Sequence, residues 1–252
     1  MRKYAPFLGC DLTELDAKLL ARADEVVAMR EIHAGERDPL VIGLRHDMDN
    51  VFAPSLELAH WEHERGYRAT YYVLHDSPYW TNESVLRPGL EEIASLGHEI
   101  GIHASAIAEA LRHDGDPHEI LHEALDRLRS WGHTITGVVA HGDSLCYAGD
   151  GIRFVNDEQF VECVRPEIGE HDRWIEYGGV RLKLDPRPLA DFELEYESLR
   201  LGRALYLSDS GGRWSEPFDE ACERFPSPFG QLHVLMHGCW WTEAFSVAEV
   251  AA

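Results

Sequence analysis

Leu40-Val41-Ile42-Gly43-Leu44-Arg45-His46-Asp47-Met48-Asp49-Asn50 is an apolar run that stops abruptly in a charged cluster. The run has the length and composition of a buried strand. Side chains alternate along an extended chain, so Asp47 and Asp49 share one side and His46 points to the other. Two adjacent carboxylates repel each other unless a cation or a shared proton lies between them. The plainer reading is a solvated strand end rich in turn formers.

The pattern recurs, which favours the first reading. Arg68-Ala69-Thr70-Tyr71-Tyr72-Val73-Leu74 runs into His75-Asp76, and Glu99-Ile100-Gly101-Ile102 into His103. Ile135-Thr136-Gly137-Val138-Val139-Ala140 runs into His141-Gly142-Asp143. Ala204-Leu205-Tyr206-Leu207-Ser208 ends at Asp209, and Leu232-His233-Val234-Leu235-Met236 at His237. Each strand-like run delivers a His or an Asp at its carboxyl end. A parallel α/β barrel carries its chemistry at that end of its strands. The expected fold is α/β: a distorted (β/α) barrel of about seven strands, one domain over 1–252, with a helical segment in 1–39.

Composition narrows the function. The chain of 252 residues carries 45 acidic and 23 basic residues, a formal net charge of -22. Such a surface repels nucleic acid and anionic lipid, so neither is expected as a partner. Cys10, Cys146, Cys163, Cys222 and Cys239 make an odd count with no C-x-x-C pair, which argues for a reducing compartment. The opening MRKYAPFLGCDLTELD lacks the sustained apolar core of a signal peptide. No apolar run reaches the length of a membrane span. The expectation is a cytoplasmic protein; the oligomeric state is left open.

In chain order, the spacing of Leu12, Leu15, Leu19, Leu20 and Val26 predicts a helix over 12–28. Pro54 to Gly66 reads as a helix, with His60 and His63 on its surface. A short helix is expected over 90–96. Two helices over 107–131 are separated by Asp114-Gly115-Asp116-Pro117, and His113, His118, His122 and His133 are read as surface residues. His118 and His122 stand at i and i+4, a spacing that can bind metal on a helix face, but no third ligand stands near them. Asn156 to Cys163 is a candidate helix. Val180–Leu184 and Phe192–Tyr196 alternate like the two strands of a hairpin flap, although Pro186 and Pro188 weaken that pairing. A terminal helix is expected over 242–250.

Taken together, several of these stretches resemble the polysaccharide deacetylase family, the NodB-homology or carbohydrate esterase 4 fold. They are Arg45-His46-Asp47-Met48-Asp49, Arg68-Ala69-Thr70-Tyr71-Tyr72-Val73, and Leu96-Gly97-His98-Glu99-Ile100-Gly101-Ile102-His103. The later ones are Tyr206-Leu207-Ser208-Asp209-Ser210-Gly211-Gly212-Arg213-Trp214 and Leu235-Met236-His237 followed by Trp240-Trp241. The resemblance covers roughly 40–241 and is closest to a divergent bacterial subgroup. It implies Asp47 as catalytic base, Asp49 and His103 as ligands of a divalent metal, usually zinc, and His237 as general acid. An amide is a poor electrophile, and those residues meet its three demands: a Lewis acid, a base for water and a proton for the departing amine.

The chain departs from the family at two places. Ile107 stands where the family's H-x-x-x-H has its second ligand, and His141-Gly142-Asp143 stands where an Arg orients the base. His141 is the natural third ligand, against a turn residue capped by Gly142-Asp143; the two readings stay even, with His46 and His75 weaker candidates. His75 suits a sugar hydrogen bond. Asp209, Arg213 and Trp214 offer an acid, a guanidinium and an indole to a pyranose ring, although Asp209 can instead pair with Arg213 to fix the loop. The resemblance implies removal of an N-acyl group, most simply N-acetyl, from an amino-sugar small molecule or a lipid-linked saccharide. A saccharide-binding barrel without metal, and a hydrolase of non-sugar C–N bonds, are the rival readings.

Overall fold

The computed structural model describes residues 11–35, 40–148, 151–163, 173–202, 205–225 and 231–241. The expected terminal helix over 242–250 lies outside them. The elements in order are α1 (Leu12–Lys18), β1 (Glu25–Val27), α2 (Met29–His33), β2 (Val41–Met48), α3 (Ala53–His63), β3 (Thr70–Leu74) and α4 (Glu83–Ser95). Next come β4 (Glu99–Ala104), α5 (Ala106–His113), α6 (Pro117–Ser130), β5 (Gly137–Ala140), β6 (Tyr147–Ala148) and β7 (Gly151–Ile152). The chain continues with β8 (Trp174–Tyr177), β9 (Val180–Lys183), β10 (Tyr196–Glu197), β11 (Leu205–Ser208), α7 (Phe218–Arg224) and β12 (Gln231–Met236).

The main sheet runs β10-β5-β4-β3-β2-β12-β11, with β1 added to β2. The pairs β1–β2, β2–β12, β11–β12, β4–β5 and β5–β10 are all parallel. This is a mixed α/β fold with helices between most successive sheet strands; among the described residues the stretch from β5 to β11 has 3-10 turns and two small antiparallel pairs instead. The strand order is the chain order read cyclically: the last strand, β12, pairs with β2.

The chain packs as two compact units. One comprises Met1–Tyr72, Ser77–Ile100 and Leu201–Ala252, the other Val73–Asp76 and Gly101–Arg200. In the first unit β2 is buried at every position. α2 lies against it at Gly43, where an added Cβ would stand 2.9 Å from Ile32 Cγ1 and 3.1 Å from Met29 Sδ. α3 turns Leu58, Ala59 and Glu62 inward. Glu62 is a buried carboxylate in an apolar stripe, and its partners explain it. Its Oε1 lies 2.6 Å from His46 Nε2, and its Oε2 accepts a hydrogen bond of 2.7 Å from the Tyr71 hydroxyl. His46 stacks on Tyr71, with ring centroids 4.5 Å apart. His46 therefore does face away from Asp47, as strand alternation requires. His98 accepts the Ala69 N–H at Nδ1 and donates to Ala59 O from Nε2, so its ring is the neutral tautomer. Burial lowers its pKa.

The predicted helix over 12–28 is corrected. α1 ends at Lys18, a 3-10 turn follows over Leu20–Arg22, and Glu25–Val27 is β1. Pairing of Val26 with Ile42 in the sheet outweighs the helical spacing. The helix over 90–96 is longer than expected, because α4 starts at Glu83 and carries Pro88 inside it.

In the second unit, Asp114 takes the left-handed conformation after α5, and Asp116 caps α6 through its carboxylate. The side of α5 carrying Ile107, Ala108 and Leu111 packs with Cys146, Phe154, Ile175 and Leu184 in one apolar cluster. The predicted hairpin is corrected: β9 pairs antiparallel with β8, not with 192–196. Leu189–Phe192 is a 3-10 turn, and Tyr196–Glu197 joins the main sheet beside β5. Asn156–Gln159 and Val161–Cys163 are 3-10 turns, in place of the candidate helix. His118 is also corrected. It is buried, and both it and His122 lie against the Phe192 ring.

Candidate active site

In the first unit, β2, β12 and β11 are parallel neighbours, so their carboxyl ends emerge together. They bring Asp47 and Asp49, His237, and Asp209 to one place. Asp209 is fully buried. Its Oδ1 lies 2.6 Å from His237 Nδ1. Its Oδ2 accepts the His237 backbone N–H at 2.8 Å and the Trp241 indole N–H at 2.7 Å. With Nδ1 held by this carboxylate, His237 presents Nε2 outward, 3.5 Å from Asp49 Oδ2. Burial opposes protonation of His237, but its hydrogen bond to Asp209 and the charges of Asp209, Asp49 and Asp47 outweigh it. Together they raise its pKa to about 9. An imidazolium at neutral pH is the form a proton donor needs.

Asp47 is buried beside Arg45, whose Nη2 donates to Asp47 Oδ2 at 3.4 Å and to the Tyr206 hydroxyl at 3.2 Å. Trp214 is buried too, stacked on Phe218 with centroids 5.5 Å apart and lying 5.4 Å from the Trp241 ring. Stacking on Phe218 and the tilted contact with Trp241 tie the Asp209 loop to the His237 loop. Arg213 is exposed on a groove that Ser210, Trp214, Glu216 and Phe218 also line. Asp209 and Arg213 do not form the ion pair that was one sequence reading; Asp209 has its own partners.

In the second unit, β4 and β5 run parallel, and His103 sits in register with Val139. His141 follows β5, its N–H donating to Ala104 O at 2.9 Å. The His103 and His141 rings meet edge to face, centroids 5.0 Å apart. His103 Nδ1–H donates to Val139 O at 3.1 Å, which presents Nε2 as the lone pair. Outer-shell carbonyl contacts of this kind fix the tautomer of a metal-ligating histidine. His141 Nδ1 lies 3.4 Å from Ser105 Oγ. The His141 turn is anchored by Asn156, which donates to His141 O and accepts from Ala108 N–H.

His75 is buried, accepts the Ser105 N–H at Nε2 and approaches Glu109 Oε2 at 2.9 Å through Nδ1. Nε2 is thus hydrogen-bonded and Nδ1 faces a carboxylate within the unit. Ile107 is part of the apolar cluster, so the position where the family pattern has a second histidine is packed core.

Two further carboxylate groupings occur in this unit. Asp76, His141 and Asp143 converge, but Arg112 bonds Asp143 at 2.5 and 2.6 Å and Asp76 at 3.4 Å, already neutralising them. Burial and then that guanidinium act on Asp143 in opposite directions, and the net effect lowers its pKa. Asp157, Cys163 and Glu197 also converge. There Arg200 bonds Asp157, and burial raises the Cys163 thiol pKa, keeping it protonated. Neither grouping has the donor chemistry of the histidine pair.

Sequence reasoning left Arg45, Tyr206 and Glu62 without roles, and gave Trp241 only a packing role where it also donates to Asp209. The signal for Arg45 was present: two residues before Asp47 on a strand is the same face. Glu62 was signalled as an acid in the buried stripe of α3. Comparison with known proteins finds no matching family model, no matching curated protein and no matching solved structure.

Proposed function

We propose that this protein is a metal-dependent hydrolase that removes an N-acyl group, in the first instance N-acetyl, from an amino sugar, on a NodB-like (β/α) barrel. The observation that carries the reading is the buried Asp209 carboxylate holding His237 with Nε2 directed at Asp49. The cyclic strand order supports the barrel. Asp49, His103 and His141 are the proposed ligands, a carboxylate and two imidazoles suited to a catalytic zinc. The tautomer of His103 fits that role. A bound divalent ion supplies Lewis-acid polarisation of the acyl carbonyl.

The chain's own groups do the proton work. Asp47 accepts the proton of the attacking water, and Arg45 keeps a positive charge beside it. His237 Nε2 delivers a proton to the departing amine, while Asp209 stabilises the imidazolium before delivery. Arg213, on its exposed groove, is the proposed substrate contact, with Asp209 and Trp214 fixing its loop; His75, proposed from the sequence as a sugar contact, is held by Ser105 and Glu109 and serves the fold of its own unit. Cys146, Cys163, Cys222 and Cys239 are free thiols, which supports a cytoplasmic setting and a soluble or lipid-linked precursor as substrate. Among the described residues, no helix is long and apolar enough to cross a membrane.

The test is metal content of protein purified without chelator, followed by acetate release from a panel of N-acetylated amino sugars and cyclic amides. Zinc near one equivalent with release from the sugars is expected. No metal uptake leaves the saccharide-binding reading, and release from the cyclic amides alone moves the substrate to non-sugar C–N bonds.

A further inference from the structure

We propose that Arg45 and Tyr206 form a brace that positions Asp47, an inference that rests on the reading of Asp47 as the base. Arg45 is 3% exposed and begins on β2, two residues before Asp47 and on the same face. Tyr206 lies on β11, and β12 runs between the two strands. The guanidinium therefore crosses a strand to reach the Tyr206 hydroxyl at 3.2 Å, while the same nitrogen stands 3.4 Å from Asp47 Oδ2. Its carbon sits 5.8 Å from the centre of the Tyr206 ring, so the ring and the hydroxyl both face the cation.

Stability alone is a poor explanation for this arrangement. Burying a guanidinium and a carboxylate costs desolvation that their attraction barely offsets. What the geometry does supply is direction. Nη2 is shared between the Tyr206 hydroxyl and Asp47 Oδ2, so the hydroxyl limits how far the cation can swing away from the carboxylate and Asp47 keeps its place against it. The far end of the brace is the strand that ends in Asp209, the residue orienting His237. One device thus links the strand that carries the base to the strand that carries the holder of the acid. Arg45 and Tyr206 are positioning residues, acting through Asp47.

The experiment compares Arg45→Gln, Arg45→Lys and Tyr206→Phe with wild type, each also in an Asp47→Asn background. Zinc uptake is measured, along with acetate release from the most active panel compound. A misplaced reacting group costs about 10²-fold, so Arg45→Gln should lower kcat by that order with KM and zinc uptake unchanged. Arg45→Lys should recover part of the loss. Tyr206→Phe, losing one hydrogen bond, should cost about tenfold. In the Asp47→Asn background none of the three should lower kcat further. The brace is overturned if Arg45→Gln keeps kcat within about threefold of wild type (far less than the 10² expected of misplacement), if its loss persists without Asp47, or if the loss lies in KM. Should Arg45→Gln fail to fold, Arg45→Lys and Tyr206→Phe carry the same comparisons. If wild type releases acetate from no compound, the hydrolase reading fails instead. Crystal structures of wild type and Tyr206→Phe then decide the brace: a displaced Asp47 carboxylate supports it, and an unmoved one overturns it.

Discussion

Replacing Asp209 by Asn removes one charge and one acceptor at a fully buried position. The carboxylate accepts from three donors: the His237 backbone N–H at 2.8 Å, His237 Nδ1 at 2.6 Å and Trp241 Nε1 at 2.7 Å. An amide has a single oxygen. Placed at the Oδ2 position, it keeps the backbone and Trp241 donors, and its NH₂ then faces His237 Nδ1. The ring must become neutral with its proton on Nε2, so the protonated donor is lost. A hydrogen bond involving a charged group contributes about 1.5–3 kcal/mol, and breaking a buried pair by removing one partner costs about 3–5 kcal/mol. Two of the three contacts survive here, so a loss of about 3 kcal/mol is expected in urea unfolding, as a lower midpoint at unchanged slope. Loss of a general acid should lower kcat by about 10²–10⁴ with little change in KM. Asp209→Ala leaves three buried donors without their acceptor and should destabilise more. An Asp209→Asn protein within about 1 kcal/mol of wild type, below the cost of one charged hydrogen bond, would refute the reasoning.

Three further outcomes are expected. Glu62→Gln removes one of the two acceptor oxygens that serve His46 and Tyr71 in the core of the first unit and should cost about 3–5 kcal/mol in urea unfolding; a change within about 1 kcal/mol would contradict the buried-pair argument. Gly137→Ala would drive a methyl group into the Tyr196 ring between β5 and β10. It should destabilise by about 1–3 kcal/mol, with part restored when Tyr196 is also replaced by Leu. His98 should stay neutral in the native protein as pH falls below 6.5, while the unfolded chain takes up the proton. Stability through this group is therefore lost toward acid pH. An NMR titration showing the His98 ring protonating near its ordinary value would contradict the burial argument.

The long strands were legible in the sequence because each is a short apolar run stopped by a charge, and that contrast survives without any tertiary information. β1 and β10 were not legible. Three residues in Glu25–Val27 and two in Tyr196–Glu197 are too few to show a period of two. What makes them strands is the neighbour they meet, β2 and β5 respectively. The alternation over 180–184 was real, but its partner lies before it at Trp174–Tyr177. The intervening Gly178 and Gly179, both at positive φ, make the turn. Pro88 hid the first half of α4, since an internal proline reads as a break and the helix tolerates it.

The candidate site divides in the same way. Its residue types and strand-end positions were visible from spacing, because period-two alternation fixes the face on which Arg45 and Asp47 lie. The bonds between them were not, because they join distant parts of the chain. Asp209 meets His237 across 28 residues and Arg45 meets Tyr206 across 161. The sequence offered Asp209 as a contact for a sugar because an acid, a guanidinium and an indole stand together around a glycine turn. Its complete burial follows from three donors converging on it, two from His237 and one from Trp241. A carboxylate whose lone pairs are spent on orienting an imidazole cannot also grip a hydroxyl. Any sugar recognition by this loop therefore falls to Arg213, which lines the groove beside it and stays exposed.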